Sequence, residues 1–129
     1  MIHLDTSVLI DALTGPRRSA PALRALIERG ERLTFSSIVL YEWRRGPRRA
    51  EELRAQEALF PADGTIVFGT AEARQAAELY RKVPRPRGRE IDLAIAACAL
   101  TQDAALWTLN PSDFADIPGL ELVDLRGRR

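Results

Sequence analysis

One cysteine, one histidine and one lysine occur among 129 residues. Cys98 has no partner for an internal disulfide, and Cys98 with His3 cannot supply the four ligands of a structural zinc site. Aromatic residues are sparse at 6% and scattered, so no stacking platform for single-stranded bases is visible. Long apolar runs are missing as well. The longest, such as Leu93 to Leu100, stop far short of the roughly 20 residues that a membrane-spanning helix needs. The opening Met1-Ile2-His3-Leu4-Asp5 carries neither a basic leader nor an apolar segment with a small-residue cleavage site, so a cytoplasmic protein is expected. There is no internal repeat and no low-complexity segment. A net charge of +1 leaves the class of partner open.

What is present is a composition for folding. Hydrophobic residues make up 46% and charged residues 29%, which places the chain among globular proteins, and its length suits one domain spanning 1–129. Of the 19 basic residues 18 are arginine, many of them in three clusters: Arg44 to Arg49, Arg81 to Arg89 and Arg126 to Arg129. Arginine favours bidentate contact with phosphate or carboxylate, although such clusters serve equally as solvated helix faces.

The hydrophobic pattern alternates short strands with helices. Strands are expected at Ile2 to Leu4, Arg32 to Ser36, Thr65 to Phe68, Ala105 to Leu109 and Leu120 to Leu125. Helices are expected from about Val8 to Gly15, from Ser19 to Gly30, from the Ser36-Ser37 cap to Gly46, over Arg48 to Phe60, over Ala71 to Arg81 and over Glu90 to Gln102. The last is apolar nearly all round and reads as a buried helix. This order predicts an α/β fold with a parallel sheet of four to five strands sandwiched between helices. Polar chemistry then gathers beyond the carboxyl ends of the strands.

Asp5, Glu42 and Asp113 follow the first, second and fourth strands, at that end of the sheet, and Asp92 lies in the first turn of the most apolar helix. Taken singly, Asp5 and Asp113 read equally well as helix caps, Asp92 as a dipole partner and Glu42 as the mate of Arg45. Together the four carboxylates repel one another, and a hard divalent cation such as Mg²⁺ or Mn²⁺ is the simplest compensation.

These residues sit in blocks that resemble the PIN-domain family, and within it the toxin ribonucleases of VapBC type: Leu4-Asp5-Thr6-Ser7-Val8-Leu9-Ile10-Asp11, Ser36-Ser37-Ile38-Val39-Leu40-Tyr41-Glu42 with Gly46, Asp92-Leu93-Ala94-Ile95-Ala96-Ala97-Cys98-Ala99, and Thr108-Leu109-Asn110-Pro111-Ser112-Asp113-Phe114 with Ile117-Pro118-Gly119-Leu120. The resemblance covers nearly the whole chain. It implies a metal-dependent endoribonuclease whose acidic quartet maps onto Asp5, Glu42, Asp92 and Asp113, with Thr6, Thr108 and Asn110 as polar support or substrate contacts. It further implies one or two Mg²⁺ or Mn²⁺ ions, an RNA substrate, a small antitoxin and a homodimer. Leu109 stands where arginine is common in such toxins and Ser7 where asparagine is common. Alternatives are an RNA-processing nuclease without an antitoxin, or a silent RNA- or protein-binding module. A phosphoacceptor signalling domain would want a lysine after a late strand, and Lys82 is not placed there.

Arg85, Arg87 and Arg89 precede Asp92 by three to seven residues and are expected near the cleft, touching RNA phosphate or antitoxin. Pro84 and Pro86 are expected to hold that loop extended, with the guanidinium groups outward. Leu23, Leu26, Ile27, Val39 and Trp43 are candidates for a shared apolar surface, though an ordinary core is the stronger reading for each.

Overall fold

The computed structural model describes residues 1–125, so the cluster Arg126 to Arg129 lies outside the described residues. At its centre three parallel strands run in the order β2 (Leu33–Thr34), β1 (Ile2–Leu4), β3 (Ala105–Trp107), with Ile2 opposite Leu33 on one side and Ala105 on the other. Between them run α1 (Thr6–Leu13), α2 (Ala20–Glu28), α3 (Ser37–Arg45), α4 (Ala50–Leu59), α5 (Thr70–Lys82) and α6 (Glu90–Thr101).

The two outer strands expected from the sequence shrink to single parallel bridges, Ser36 with Ile66 and Leu106 with Leu122. The reason is the brevity of their partners. The chain past β2 leaves the sheet at Ser37 to start α3, after Ile66 has made one exchange of hydrogen bonds with Phe35 and Ser37. Leu106 likewise exchanges bonds with Glu121 and Val123 before β3 ends at Trp107. Five chain passes are therefore parallel, as the alternating pattern requires, but three form the ladder.

Local chemistry explains the helix ends. Ser36 caps α3 by accepting the Val39 N–H at 3.2 Å, and Pro21 sits in the first turn of α2. In α6 the run Leu93 to Ala99 is buried throughout, which makes this helix part of the core. It packs against α5 and β3, while α1 packs against β1, α2, α3 and α4. Leu23, Leu26, Val39 and Trp43 are core residues and not shared surface, since the sheet and helices already cover them; Ile27, 43% exposed, stays at the surface. Among the described residues no helix is long and apolar enough to cross a membrane.

His3, on the central strand, is 1% exposed, and its Nε2 has no hydrogen-bond partner. Burial, helped by the positive N-terminus, drops its pKa to about 4.

Candidate active site

Parallel strands end on the same edge, so Asp5 directly after β1 and Thr108 directly after β3 come together there; the Asp5 N–H donates to the Trp107 carbonyl at 2.9 Å. Asp5 occupies the N-cap position of α1, yet its side chain makes no cap hydrogen bond. Its carboxylate Oδ2 instead accepts the hydroxyls of Thr108 at 2.7 Å and Ser7 at 2.8 Å. The side chain therefore does not cap the helix, and two hydroxyl donors orient a carboxylate that is only 6% exposed.

Ser7 does more than its position next to Thr6 announced. Its oxygen also accepts the Leu109 N–H at 3.0 Å, stitching the start of α1 to the segment after β3. A small hydroxyl residue two positions beyond the first acid was the available signal. Thr6 donates to Glu42 Oε1 at 2.6 Å, which brings α3 to the same edge, and Arg45 one turn on lies 3.6 Å from Glu42 Oε2. The pairing of Glu42 with Arg45 thus coexists with its place in the cluster. Asn110 uses its backbone N–H to reach Thr108 Oγ1 at 3.0 Å, so the polar support at this position is main-chain.

Asp92 lies in the first turn of α6, and its carboxyl pKa is raised to about 6. Burial is the main cause, followed by the negative charges of Asp5, Asp113 and Glu42, with Arg89 opposing them. The carboxyl is thus partly buried and within the field of three other acids. Asp5, Glu42 and Asp92 line an open cleft of about 430 Å³ together with Thr6, Ser7, Ile10, Arg45, Gly46, Arg48 and Asn110. Asp113 stands outside that lining, exposed at the end of a short 3-10 turn, Pro111–Asp113, close enough for its charge to act on Asp92.

Among the described residues no three acid, imidazole or thiol groups draw close enough to wrap a bare ion. The donors that are present, carboxylates and hydroxyls around an open space, suit a hard cation that keeps much of its water and takes a few carboxylates.

The three loop arginines part company. Arg85 and Arg87 are exposed, but Arg85 adopts a left-handed φ of +52°, so the loop bends where the prolines predicted an extended run. Arg89 is turned inward. Its guanidinium grips Asp116 at 2.6 and 3.0 Å and the carbonyls of Pro84 and Asp113 at 3.1 Å each. These bonds raise the Arg89 pKa and lower that of Asp116, and they fasten the N-terminus of α6, with Asp92, to the turn that carries Asp113. A salt bridge to an acid three residues past Asp113 could not be read from spacing alone.

The PIN domain family profile matches residues 2–120. The chain is 35% identical over 120 residues to Ribonuclease VapC19 of Mycobacterium tuberculosis, covering 92% of this chain and 95% of that one. Among solved structures it is similar to VapBC2 from Rickettsia felis bound to a DNA fragment from their promoter, with a TM-score of 0.74, 25% identity, and 95% and 98% of the two chains covered. It is likewise similar to a toxin-antitoxin complex from Klebsiella pneumoniae, with a TM-score of 0.69, 28% identity, and coverage of 93% and 95%. Fold, sequence and the carboxylate edge agree, and the chain belongs to the PIN-domain family.

Proposed function

We propose that this chain is a divalent-metal-dependent endoribonuclease, the toxin of a VapBC-type pair. The observation that carries the reading is the carboxyl of Asp92, held at a pKa of about 6 by its burial and by the charges of Asp5, Asp113 and Glu42 at the edge where the parallel strands end. Its similarity to Ribonuclease VapC19 and to the toxin-antitoxin structures supports the activity and the partnership.

Asp5, Asp92 and Asp113 would hold the principal Mg²⁺ or Mn²⁺, with Glu42 placing a second ion or a water. When bound, the ion acidifies an attacking water and neutralises charge developing on the scissile phosphate. The protein's own work is orientation. Thr108 and Ser7 fix one oxygen of Asp5, Thr6 fixes one oxygen of Glu42, and Arg89 holds the Asp92 helix against the Asp113 turn. Arg85 and Arg87 meet RNA phosphates flanking the cut, with acidic groups of the antitoxin as the competing use; Arg89 takes part only where its grip on Asp116 is exchanged. The chain pairs with a small antitoxin and forms a homodimer, the latter checked by light scattering at micromolar concentration.

Purified protein should cleave single-stranded RNA with added Mn²⁺, stop in EDTA and resume when the ion is restored in excess. Cleavage indifferent to chelation would defeat the metal-nuclease reading. Thr108→Val keeps shape but removes one donor to Asp5; activity and Mn²⁺ affinity should each fall about 10- to 100-fold, as for groups that orient metal ligands, with the melting temperature nearly unchanged. Equal Mn²⁺ affinity by calorimetry would assign this hydroxyl to folding alone.

A further inference from the structure

The arginine cluster from Arg44 to Arg49 contributes two side chains to the cleft, Arg45 and Arg48, and they are held very differently. Arg45 is exposed, pairs with Glu42 at 3.6 Å and lies over Tyr41 at 5.4 Å. The Arg48 guanidinium lies 4.4 Å above the ring of Trp43, a side chain with no exposed surface. Gly46 lies close to the same guanidinium: a Cβ built there would stand 2.8 Å from Nη2, 3.0 Å from Cζ and 3.2 Å from Nη1. Gly46 has a φ of −80°, which any residue adopts, so a side chain there would meet only the end of Arg48 and push it aside.

Among the described residues Arg48 makes no side-chain hydrogen bond and no ion pair, and its Nε is buried without a partner. Its charge is felt by Glu52 but makes no contact with it. A guanidinium beside three carboxylates would ordinarily swing onto one of them. Stacked on the indole instead, Arg48 is a cation at the cleft whose Nη donors are unspent among the described residues. A planar guanidinium fork is suited to a phosphate oxygen pair.

Resting on the ribonuclease reading, we propose that Arg48, stacked on Trp43 beside Gly46, is the phosphate-binding subsite that seats the RNA strand at the carboxylate cleft. It lies on the same wall as Glu42, so a strand bound there passes the acids at a set register. Its role is binding and positioning, not a chemical step.

The test measures binding without cleavage. In full-length Asp92→Asn protein, the affinity for a fluorescent 12-nucleotide single-stranded RNA is followed by anisotropy from 50 to 300 mM KCl. Adding Arg48→Gln should weaken binding about tenfold at the lowest salt and reduce the slope of log K against log salt by about 0.7, the value for one contact on a single strand. Gly46→Ala, which displaces only the flexible end of Arg48, should weaken binding in the same direction with an unchanged far-UV spectrum. Arg48→Lys should keep the slope and recover part of the affinity. Curves for Arg48→Gln within twofold of the parent, or weaker binding with an unaltered slope, would overturn the proposal. So would a loss confined to an acidic peptide, poly-glutamate, which would give Arg48 to a protein partner. The ribonuclease reading fails separately, through the wild type's cleavage in Mn²⁺.

Discussion

Asp92→Asn should lose RNA cleavage by on the order of 10³-fold, about 4 kcal/mol of transition-state stabilisation, and should melt at a higher temperature than the wild type at pH 7.5 without divalent ions. The two effects have one cause. With a pKa near 6 in the folded chain against 3.8 for an ordinary aspartate, the group binds its proton more tightly when folded, so the ionised form is a strain on the native state above pH 6. The full shift corresponds to about 3 kcal/mol, and solvent screening of a half-buried group reduces this to about 1–2 kcal/mol. Asparagine keeps the volume and removes the charge, so the melting temperature rises by several degrees. Millimolar Mn²⁺ should reverse the order, stabilising the wild type by binding its folded state and the variant much less. A variant that retains cleavage, or that melts below the wild type in EDTA, contradicts the shared cleft.

How much of this was legible from the residues themselves differs by level. The strand β1, the cap Ser36 and the buried helix α6 follow from local pattern, because a short apolar run, a serine before a helix and a continuous apolar stretch each have one dominant physical reading. The outer strands were misjudged because an apolar run does not reveal how soon its neighbour leaves the sheet, as at Ser37 and Trp107. At the site, strand order points to Asp5, Glu42 and Asp113 at one edge; Asp5 and Glu42 do line the cleft, Asp92 joins them from the first turn of α6, and Asp113 stands outside the lining. The hydroxyl network was not legible, since Ser7 and Thr108 are 101 residues apart and meet only once β1 and β3 are paired. Arg89 and Arg48 show the same limit from the other side. Both belong to basic clusters that sequence alone cannot divide, and tertiary partners, Asp116 for one and Trp43 for the other, give each its separate task.

His3 supplies an opposing pH response, and Asp92→Asn should uncover it. The imidazole is neutral in the folded chain down to about pH 4 but protonates near 6.5 when unfolded, so stability falls as the pH drops from 6.5 toward 4, by about 3 kcal/mol across the whole interval. Asp92 contributes the reverse slope over nearly the same range, gaining stability as the pH falls through 6 toward 3.8. In the wild type without metal the two slopes offset each other between pH 6.5 and 5, and the melting temperature should change little there. Asp92→Asn removes one slope and leaves the other, so the variant that is more stable at pH 7.5 should lose its advantage steeply on acidification. His3→Gln isolates the Asp92 slope and should become more stable as the pH is lowered across the same window, whatever it loses in packing. Below about pH 4.5 the unfolded chain takes up protons at Glu52 and Glu72 before the folded chain does, because Arg49 and Thr101 hold those carboxyls below the usual value, which adds a further loss common to all three proteins. Melting curves at half-unit steps from pH 7.5 to 5 in EDTA separate these slopes. Parallel profiles for wild type and Asp92→Asn would mean that Asp92 titrates as an ordinary surface carboxylate and that the acids at the strand ends do not share a common field.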